Sequence, residues 1–331
     1  MCGVRLAPRS PCDWVASGEA MRSRRNQGSF QLLIATIDKL SVLQKRSGDE
    51  YGWLRDPSIV VIDEAHTSIA TSYTQVLDWM GRGGRARDKS ARRPLLGLTA
   101  TPFRGKSEIE TERLAGRYDG NRLDRGAFRK EDPYEELRDM GVLARVRHEV
   151  LAGIDVTLSD RDKEDIEKMG RLPSSVTERL GTDLKRTLRV VDHIASLPEE
   201  WTVLAFAPSV ENARVLAALL AHRGVPAVSV SADTETAARR HYIEEFKAGR
   251  IRVLTNYNVL TQGFDAPKVQ AVYVARPTFS PNVYQQMIGR GLRGPLNGGS
   301  EEVLIVNVED NFDQYGDLLA FNEFEYLWTK K

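Results

Sequence analysis

Residues 59–66 read Ile-Val-Val-Ile-Asp-Glu-Ala-His, an apolar run that ends in two adjacent carboxylates. A short apolar run is typical of a parallel strand that is buried on both faces. Since α/β sheets bind ligands at the carboxyl ends of their strands, Asp63 and Glu64 are candidates for nucleotide chemistry. Asp63 would hold Mg²⁺, and Glu64 would orient or deprotonate an attacking water. The alternative is that the Asp-Glu pair only caps the helix that follows.

Further apolar runs, each followed by turn or helix signals, extend this pattern along the chain. They lie at 32–36, 95–99, 203–207, 227–231, 252–256, 271–275 and 303–308. This alternation predicts a doubly wound α/β fold, and a length of 331 residues predicts two domains, 1–145 and 146–331. The charged stretch 103–197 reads as a mostly helical connector, and residues 1–29 show no clear strand.

Three helices of the second domain have readable ends. One has Ser209 as its N-cap and Gly224 as its stop, with an apolar face made of Val215, Leu216, Leu219 and Leu220. A second spans about 234–247 and is expected to bury Ile243 and Phe246. A third begins at Ser280-Pro281, the favoured pair for a helix start.

Composition excludes several classes of protein. Hydrophobic content of 41% and charged content of 28% are those of an ordinary globular chain, and no stretch is apolar for long enough to cross a membrane. The two cysteines, Cys2 and Cys12, fit neither a metal site nor a disulfide framework. Without a secretory signal, the default compartment is the cytoplasm.

Two segments near other strand ends carry further candidate groups. Thr99 and Thr101 follow the run at 95–99, where their hydroxyls can bond to a neighbouring carboxylate or a catalytic water. A plain strand-to-turn junction is the alternative for this segment. The segment 261–267, Thr-Gln-Gly-Phe-Asp-Ala-Pro, reads as a loop that offers hydroxyl and N–H groups to phosphate.

The segment 286–293 reads Gln-Met-Ile-Gly-Arg-Gly-Leu-Arg. On a helix, Gln286, Arg290 and Arg293 would share one face and suit a γ-phosphate. A solvated basic face is the alternative, but it does not explain Gly289 and Gly291, which indicate close backbone approach.

In their order and spacing, these segments resemble the motifs of superfamily 2 helicases, in the branch shared with restriction-enzyme translocating subunits and excision-repair helicases. Asp63 to His66 resembles the DEAH box, motif II, and Thr99 to Thr101 resembles motif III. Residues 203–209 resemble motif IV, 261–265 motif V and 286–293 motif VI. The resemblance covers roughly residues 30 to 310. It implies two RecA-like doubly wound parallel-sheet domains, the first incomplete, and ATP and Mg²⁺ as cofactors.

The resemblance also implies a role for each matched residue. Asp63 would coordinate Mg²⁺, Glu64 would be the general base, and Gln286, Arg290 and Arg293 would act at the γ-phosphate. Coupling of hydrolysis to strand movement would fall to His66, Thr99 and Thr101. Gly263 and Asp265 would lie near the nucleotide's ribose and phosphates. Thr36 and Thr261 would contact nucleic-acid phosphates, DNA more than RNA.

The family's first motif is a Gly-rich phosphate-binding loop that ends in Gly-Lys-Ser/Thr and lies upstream of motif II. It has no counterpart upstream of Asp63, where the sequence has no Gly-Lys pair. The string 100–107, Ala-Thr-Pro-Phe-Arg-Gly-Lys-Ser, fits a permissive phosphate-loop pattern. We reject it because it follows the carboxylates and overlaps motif III, and because Pro102 removes an N–H that a phosphate nest needs. Lys106 is then an ordinary loop residue.

The sequence therefore predicts an ATP-dependent helicase or translocase that is weak or inactive as an isolated chain. An incomplete first domain would leave an apolar face uncovered, for a protein partner to supply or cover. The alternative is a non-catalytic nucleic-acid-binding subunit, or half of a split motor that such a partner completes. A third possibility is an unrelated nucleotide-binding enzyme with the same fold, in which case the match of the motifs would be a coincidence.

Overall fold

The computed structural model describes residues 12–15, 30–46, 49–82, 93–99, 108–123, 126–130, 132–169, 171–260, 266 and 268–312. The chain divides into two compact units, Met1–Arg122 and Leu123–Lys331. The domain boundary after residue 145 stays a prediction.

The first unit contains two separate pairs of parallel strands, β1 with β2 and β3 with β4. Its strands are β1 Cys12–Val15, β2 Phe30–Leu33, β3 Val60–Asp63 and β4 Leu95–Leu98. Its helices are α1 Ile37–Lys45, α2 Thr71–Trp79 and α3 Glu108–Arg117, with 3-10 turns at Asp49–Arg55 and Ala65–Thr67. The strand β1 corrects the expectation that residues 1–29 hold none. Its pairing with β2 stabilises a stretch whose own pattern gives little signal.

One face of the β3–β4 pair is apolar and exposed. Ile59, Val61 and Leu98 expose 53%, 51% and 50% of their surface, whereas Ile62 on the opposite face exposes 7%. Val61 pairs with Leu96 and Asp63 with Leu98, so the exposed apolar face leads to Asp63. Parallel sheets of α/β proteins are normally covered on both faces. Among the residues that the structure describes, this face is left exposed, as expected from the sequence.

The second unit is built on one six-stranded, wholly parallel sheet in the order β5-β10-β9-β6-β8-β7. The strands are β5 Arg145–Asp155, β6 Thr202–Phe206, β7 Ala227–Val230, β8 Val253–Asn256, β9 Val269–Val274 and β10 Glu302–Asn311. The five strands predicted here from apolar runs are confirmed. Buried residues pack against both faces of the sheet, as a doubly wound fold requires.

The strand β5 corrects the interpretation of residues 103–197 as a mostly helical connector. It pairs in parallel with β10 at the edge of the sheet. Residues of β5 alternate between exposed and half-buried positions, so the strand lacks the apolar run that marks the central strands. An edge strand is defined by its pairing partner, and composition alone gave no signal for it.

Helices surround this sheet and join its strands. They are α4 Pro133–Asp139, α5 Asp160–Met169, α6 Ser174–Thr182, α7 Leu184–Ser196, α8 Val210–His222, α9 Thr236–Lys247 and α10 Pro281–Ile288. Ser209 and Ser280 cap α8 and α10 as predicted, each by accepting a backbone N–H three residues on. Within α8, Leu216 and Leu220 are buried, but Val215 is 42% exposed and does not belong to the core face. In α9, Phe246 is buried and Ile243 only partly so.

A buried ion pair joins α7 to the sheet. Arg186 donates from Nε to Asp310 Oδ1 at 2.7 Å and from Nη2 to Oδ2 at 2.8 Å, and Nη2 also donates to the Ala275 carbonyl at 2.6 Å. Both side chains are buried, at 1% and 0% exposed. Nothing in the local sequence marks this pair, because its partners are 124 residues apart.

Across the described ranges, no helix combines the length and the apolar character that a bilayer span requires.

Candidate nucleotide and nucleic-acid sites

Asp63 and Glu64 lie at the carboxyl end of β3, where the apolar strand reaches solvent. Asp63 is exposed, and its Oδ1 accepts the backbone N–H of Glu64 at 2.9 Å. Glu64 adopts left-handed backbone angles, φ 52° and ψ 48°, which are rare for a residue with a side chain. Strained backbone of this kind concentrates at functional sites, where the surrounding structure holds it in place.

The turn after Glu64 is held by that residue's own carbonyl. The Glu64 oxygen accepts both the backbone N–H and the hydroxyl of Thr67, each at 2.9 Å. The resulting 3-10 turn brings the Glu64 carboxylate back toward the ring two residues later. His66 Nδ1 lies 3.4 Å from Glu64 Oε2.

His66 joins the end of β3 to the end of β4. Its ring is buried, with 4% of the residue exposed, and Nδ1 lies 3.1 Å from the Thr99 hydroxyl. The same nitrogen therefore faces both the Glu64 carboxylate and the hydroxyl that follows β4. Sequence reasoning had placed Glu64, His66 and Thr99 at neighbouring strand ends, and the structure brings these three together. The roles assigned to them stay predictions.

Gly97 makes this approach possible, and sequence reasoning missed it. A Cβ at Gly97 would lie 2.7 Å from the Ala65 Cβ and 2.7 Å from the ring of Tyr118. The Tyr118 hydroxyl donates in turn to the buried Ser68 at 3.3 Å, and burial raises the pKa of Tyr118. The available signal was a glycine in the middle of the run 95–98, Leu-Leu-Gly-Leu, which suggests close packing on a strand.

The donor set at the end of β3 fits Mg²⁺. In the described part of the chain, no three His, Cys, Asp or Glu side chains converge to form a protein-only metal site. Mg²⁺ does not need one, because it usually takes one or two carboxylates and completes its shell with waters and substrate phosphates. The exposed carboxylate of Asp63 meets that requirement.

Thr36 is the N-cap residue of α1 and lies three residues after the end of β2. Its hydroxyl oxygen accepts the Lys39 backbone N–H at 3.3 Å, and the residue is exposed. The hydroxyl proton is thus left to donate outward, beside the positive end of a helix. This geometry is compatible with a phosphate contact.

Several predicted site residues lie outside the residues that the structure describes. They are Thr101, Thr261, Gly263 and Asp265, and the same holds for Lys106 in the rejected loop string.

The structure corrects the expected helix across motif VI. Gln286 is in α10, but that helix ends at Ile288. Arg290 lies in the turn beyond it, donating from Nε to the Gln286 carbonyl at 3.1 Å, and Arg293 forms an isolated bridge with Leu143. Gln286, Arg290 and Arg293 therefore do not share one helical face.

Glycines explain the helix end. Gly291 is buried, and a Cβ there would lie 2.8 Å from the Cγ2 atoms of Val272 and Val303 on β9 and β10. The chain thus presses its bare backbone onto the sheet at Gly291. Close approach, the inference drawn from the paired glycines, is confirmed here, although the helix does not continue through them.

Comparison with known proteins supports a superfamily 2 helicase, and two family models match the chain. The family model for the helicase conserved C-terminal domain matches residues 186–294. The model for the type III restriction enzyme res subunit matches residues 9–104.

Curated relatives point the same way. The chain is 28% identical over 238 residues to "Putative ATP-dependent helicase IRC3" of Saccharomyces cerevisiae, covering 71% of this chain and 32% of that protein. It is 25% identical over 265 residues to the putative mitochondrial ATP-dependent helicase irc3 of Schizosaccharomyces pombe, covering 76% and 38%. A 51.5 kDa protein of a Lactococcus phage is 26% identical over 240 residues, covering 72% and 47%. The chain thus spans between about a third and a half of these relatives.

Solved structures agree with the RecA-like fold. A fragment of a putative HsdR subunit of a type I restriction enzyme from Vibrio vulnificus superposes with a TM-score of 0.57 at 18% identity, covering 90% of this chain and 50% of that one. Dbp5 of S. cerevisiae, bound to RNA and ADP BeF3, superposes with a TM-score of 0.53 at 14% identity, covering 96% and 67%. At these identities the likeness concerns the fold.

Proposed function

We propose that this chain is a nucleic-acid-dependent ATPase of the helicase or translocase type that acts on DNA, and that it hydrolyses ATP weakly or not at all by itself. The observation that carries the proposal is the junction of Glu64, His66 and Thr99 at two neighbouring strand ends. The buried imidazole of His66 links the Glu64 carboxylate to the Thr99 hydroxyl. A movement of Glu64 at the nucleotide can therefore be transmitted through His66 to the end of β4.

In this proposal each residue of the first unit has one task. Asp63 would hold Mg²⁺, which would supply positive charge that stabilises the triphosphate and its transition state. Glu64 accepts a proton from the attacking water. His66 lies between Glu64 and Thr99. It orients the Glu64 carboxylate and couples the position of that carboxylate to β4. Thr101 would continue the same coupling.

In the second unit, Gln286, Arg290 and Arg293 are proposed to act on the γ-phosphate. Arginine suits this task because its guanidinium presents planar, paired N–H donors to phosphate oxygens. Because α10 ends at Ile288, the two arginines are presented from a turn and a bridge, each fixed by backbone contacts. Gly263 and Asp265 are proposed to bind the ribose and phosphates.

The choice of DNA rests on the match of residues 9–104 to a restriction-enzyme family, since restriction enzymes act on DNA. The proposal of weak turnover is supported by the residues given ahead of Asp63, among which no Gly-Lys-Ser/Thr string occurs. Such a loop cradles the phosphates with backbone N–H groups and neutralises them with lysine. Without that cradle, the affinity of the chain for a triphosphate is expected to be low.

A second candidate function is favoured by the exposed face of Ile59, Val61 and Leu98. The chain would then be a nucleic-acid-binding subunit, or half of a split motor, whose face a partner covers. Restored ATP turnover on addition of a partner that carries a Gly-Lys-Thr loop would support this function. Turnover that no partner raises would count against it.

Binding of single-stranded DNA and RNA of the same sequence tests the proposed function. We expect the chain to bind labelled DNA more tightly than RNA, with a logarithmic affinity that falls linearly as the logarithm of the salt concentration rises. Thr36→Asp retains a capping acceptor for α1 but adds a negative charge, so it should weaken binding on the order of tenfold. Thr36→Ser, which keeps both cap and hydroxyl, is the matched control.

Fluorescence anisotropy across a salt series, with circular dichroism to verify folding, gives the readout. Absence of salt-dependent binding to either strand would refute the nucleic-acid function. Tighter binding to RNA would refute the assignment to DNA, and equal binding by Thr36→Asp and the wild type would remove Thr36 from the interface.

A further inference from the structure

The side chains of Arg276, Tyr257 and Asn258 meet at the carboxyl edge of the second unit's sheet. In the sheet, β6 lies between β8 and β9. Ala207 donates to the Asn256 carbonyl at 2.9 Å and Ala275 to the Phe206 carbonyl at 3.0 Å, so the three strands end level with one another. Ligands of parallel α/β sheets bind at this edge.

Arg276 follows β9 and reaches across the end of β6 to residues that follow β8. Its guanidinium carbon lies 5.0 Å from the centre of the Tyr257 ring, and its Nη1 donates to Asn258 Oδ1. Asn258 is exposed and holds a left-handed φ of 60° to present that oxygen. The cation is thus fixed by stacking and by one hydrogen bond, and its other N–H groups remain able to donate.

Arg276 has no opposite charge beside it among the residues described. Its partners there are a neutral ring and a neutral amide, although the side chain is partly buried. Burial lowers the pKa of Arg276. A partly buried charge without a counter-charge is costly, and an anionic ligand removes that cost.

A second polar group at the same edge also lacks a partner. Asn256, the last residue of β8, is 0% exposed, and its Nδ2 donates to the Ala205 carbonyl at 3.1 Å. Its Oδ1 is buried and accepts no hydrogen bond within the described part of the chain. Unsatisfied buried acceptors are rare in native structures and indicate an unseen donor such as an ordered water. Because a phosphate diester has no hydrogen to donate, Asn256 Oδ1 is not itself a phosphate contact.

We propose that Arg276, held by Tyr257 and Asn258, forms a subsite for one phosphate group, and that this phosphate belongs to the backbone of the bound nucleic-acid strand. The proposal rests on the proposed function, since it adds one contact to the same strand-binding surface. The planar guanidinium, already stacked on Tyr257, offers paired donors to phosphate oxygens and a second face on which a base can stack.

Salt-dependent binding of labelled oligo-dT to the full chain tests the subsite, with Arg276→Gln as the main variant. Loss of one phosphate contact should make the log–log slope of affinity against salt shallower by about 0.7. Asn258→Gly keeps the left-handed backbone but releases the guanidinium, so it should lower affinity and leave folding intact. Arg240→Gln, which removes an exposed arginine on α9, is the matched control and should leave the slope unchanged.

A parallel titration with a fluorescent ADP analogue distinguishes the two possible sources of phosphate. A change in DNA slope with unchanged ADP affinity supports the proposal. Lost ADP affinity with an unchanged DNA slope overturns the assignment to nucleic acid. Should Arg276→Gln and Asn258→Gly bind both ligands as the wild type does, the subsite itself is refuted while the proposed function stands. If the wild-type chain binds no oligonucleotide, both fall.

Discussion

Replacing Arg186 by leucine is expected to lower the free energy of unfolding of the second unit by about 3–5 kcal/mol, because it leaves Asp310 buried without its partner. The Asp310 carboxylate is 0% exposed, and apart from Arg186 the residues that the structure describes offer it only the Ile154 backbone N–H, at 3.2 Å. The Ala275 carbonyl loses its side-chain donor in the same variant.

A double-mutant cycle separates the ion pair from simple loss of packing. Asp310→Leu alone should destabilise the unit similarly, and the double variant should recover part of the loss, since no charge then remains buried. Arg214→Leu breaks an exposed pair with Asp233 and should cost less than about 1 kcal/mol. Urea unfolding with hydrogen exchange of β6 and β9 reports on this unit. A cost below that of Arg214→Leu would contradict the account.

Gly294→Ala should cost about 1–3 kcal/mol or more, because the added methyl has no space. A Cβ at Gly294 would lie 2.3 Å from the carbonyl oxygen of Gly141, which is backbone and cannot rotate away. The Gly294 N–H donates to the Val142 carbonyl at 3.0 Å, so the two segments are already fastened together. Relief of the clash would move Arg293, which pairs with Leu143 beside this contact.

Gly116→Ala is the control for this variant. Gly116 lies in α3, and a Cβ there would meet nothing within 4 Å. Alanine at an open helical position is expected to be neutral or to stabilise by about 0.5–1 kcal/mol. Thermal unfolding, with hydrogen exchange of residues 141–144 and 292–296, compares the two variants. If Gly294→Ala unfolds like the wild type, the close approach between Gly294 and Gly141 is wrong.

The central strands and helix caps of the second unit were predictable because their signals are local. Buried strands such as β6 carry an apolar run, and Ser209 and Ser280 satisfy backbone N–H groups within their own helices. The edge strand β5 and the Arg186–Asp310 pair were not predictable. Both depend on partners far along the chain, which no window of sequence contains.

The candidate site also has some features that the sequence could predict and others that it could not. Asp63, Glu64 and His66 follow a strand whose neighbour ends at Leu98, so their meeting with Thr99 could be inferred from sheet topology. The end of α10 could not, because a helical spacing fits 286–293 until the packing of Gly291 against the sheet is known. Arg276 gave no signal at all, since Tyr257 and Asn258 are remote in sequence.

Nucleic-acid-stimulated ATP hydrolysis by the purified chain tests the central claim most directly. Asp63 and Glu64 are proposed as the hydrolytic carboxylates, and no Gly-Lys-Ser/Thr string occurs ahead of them in the given sequence. We therefore expect turnover near background with or without single-stranded DNA, and no further loss in Glu64→Gln. Robust DNA-stimulated turnover that Glu64→Gln abolishes would contradict this expectation, and loss of that turnover in Lys106→Ala would identify the loop we rejected.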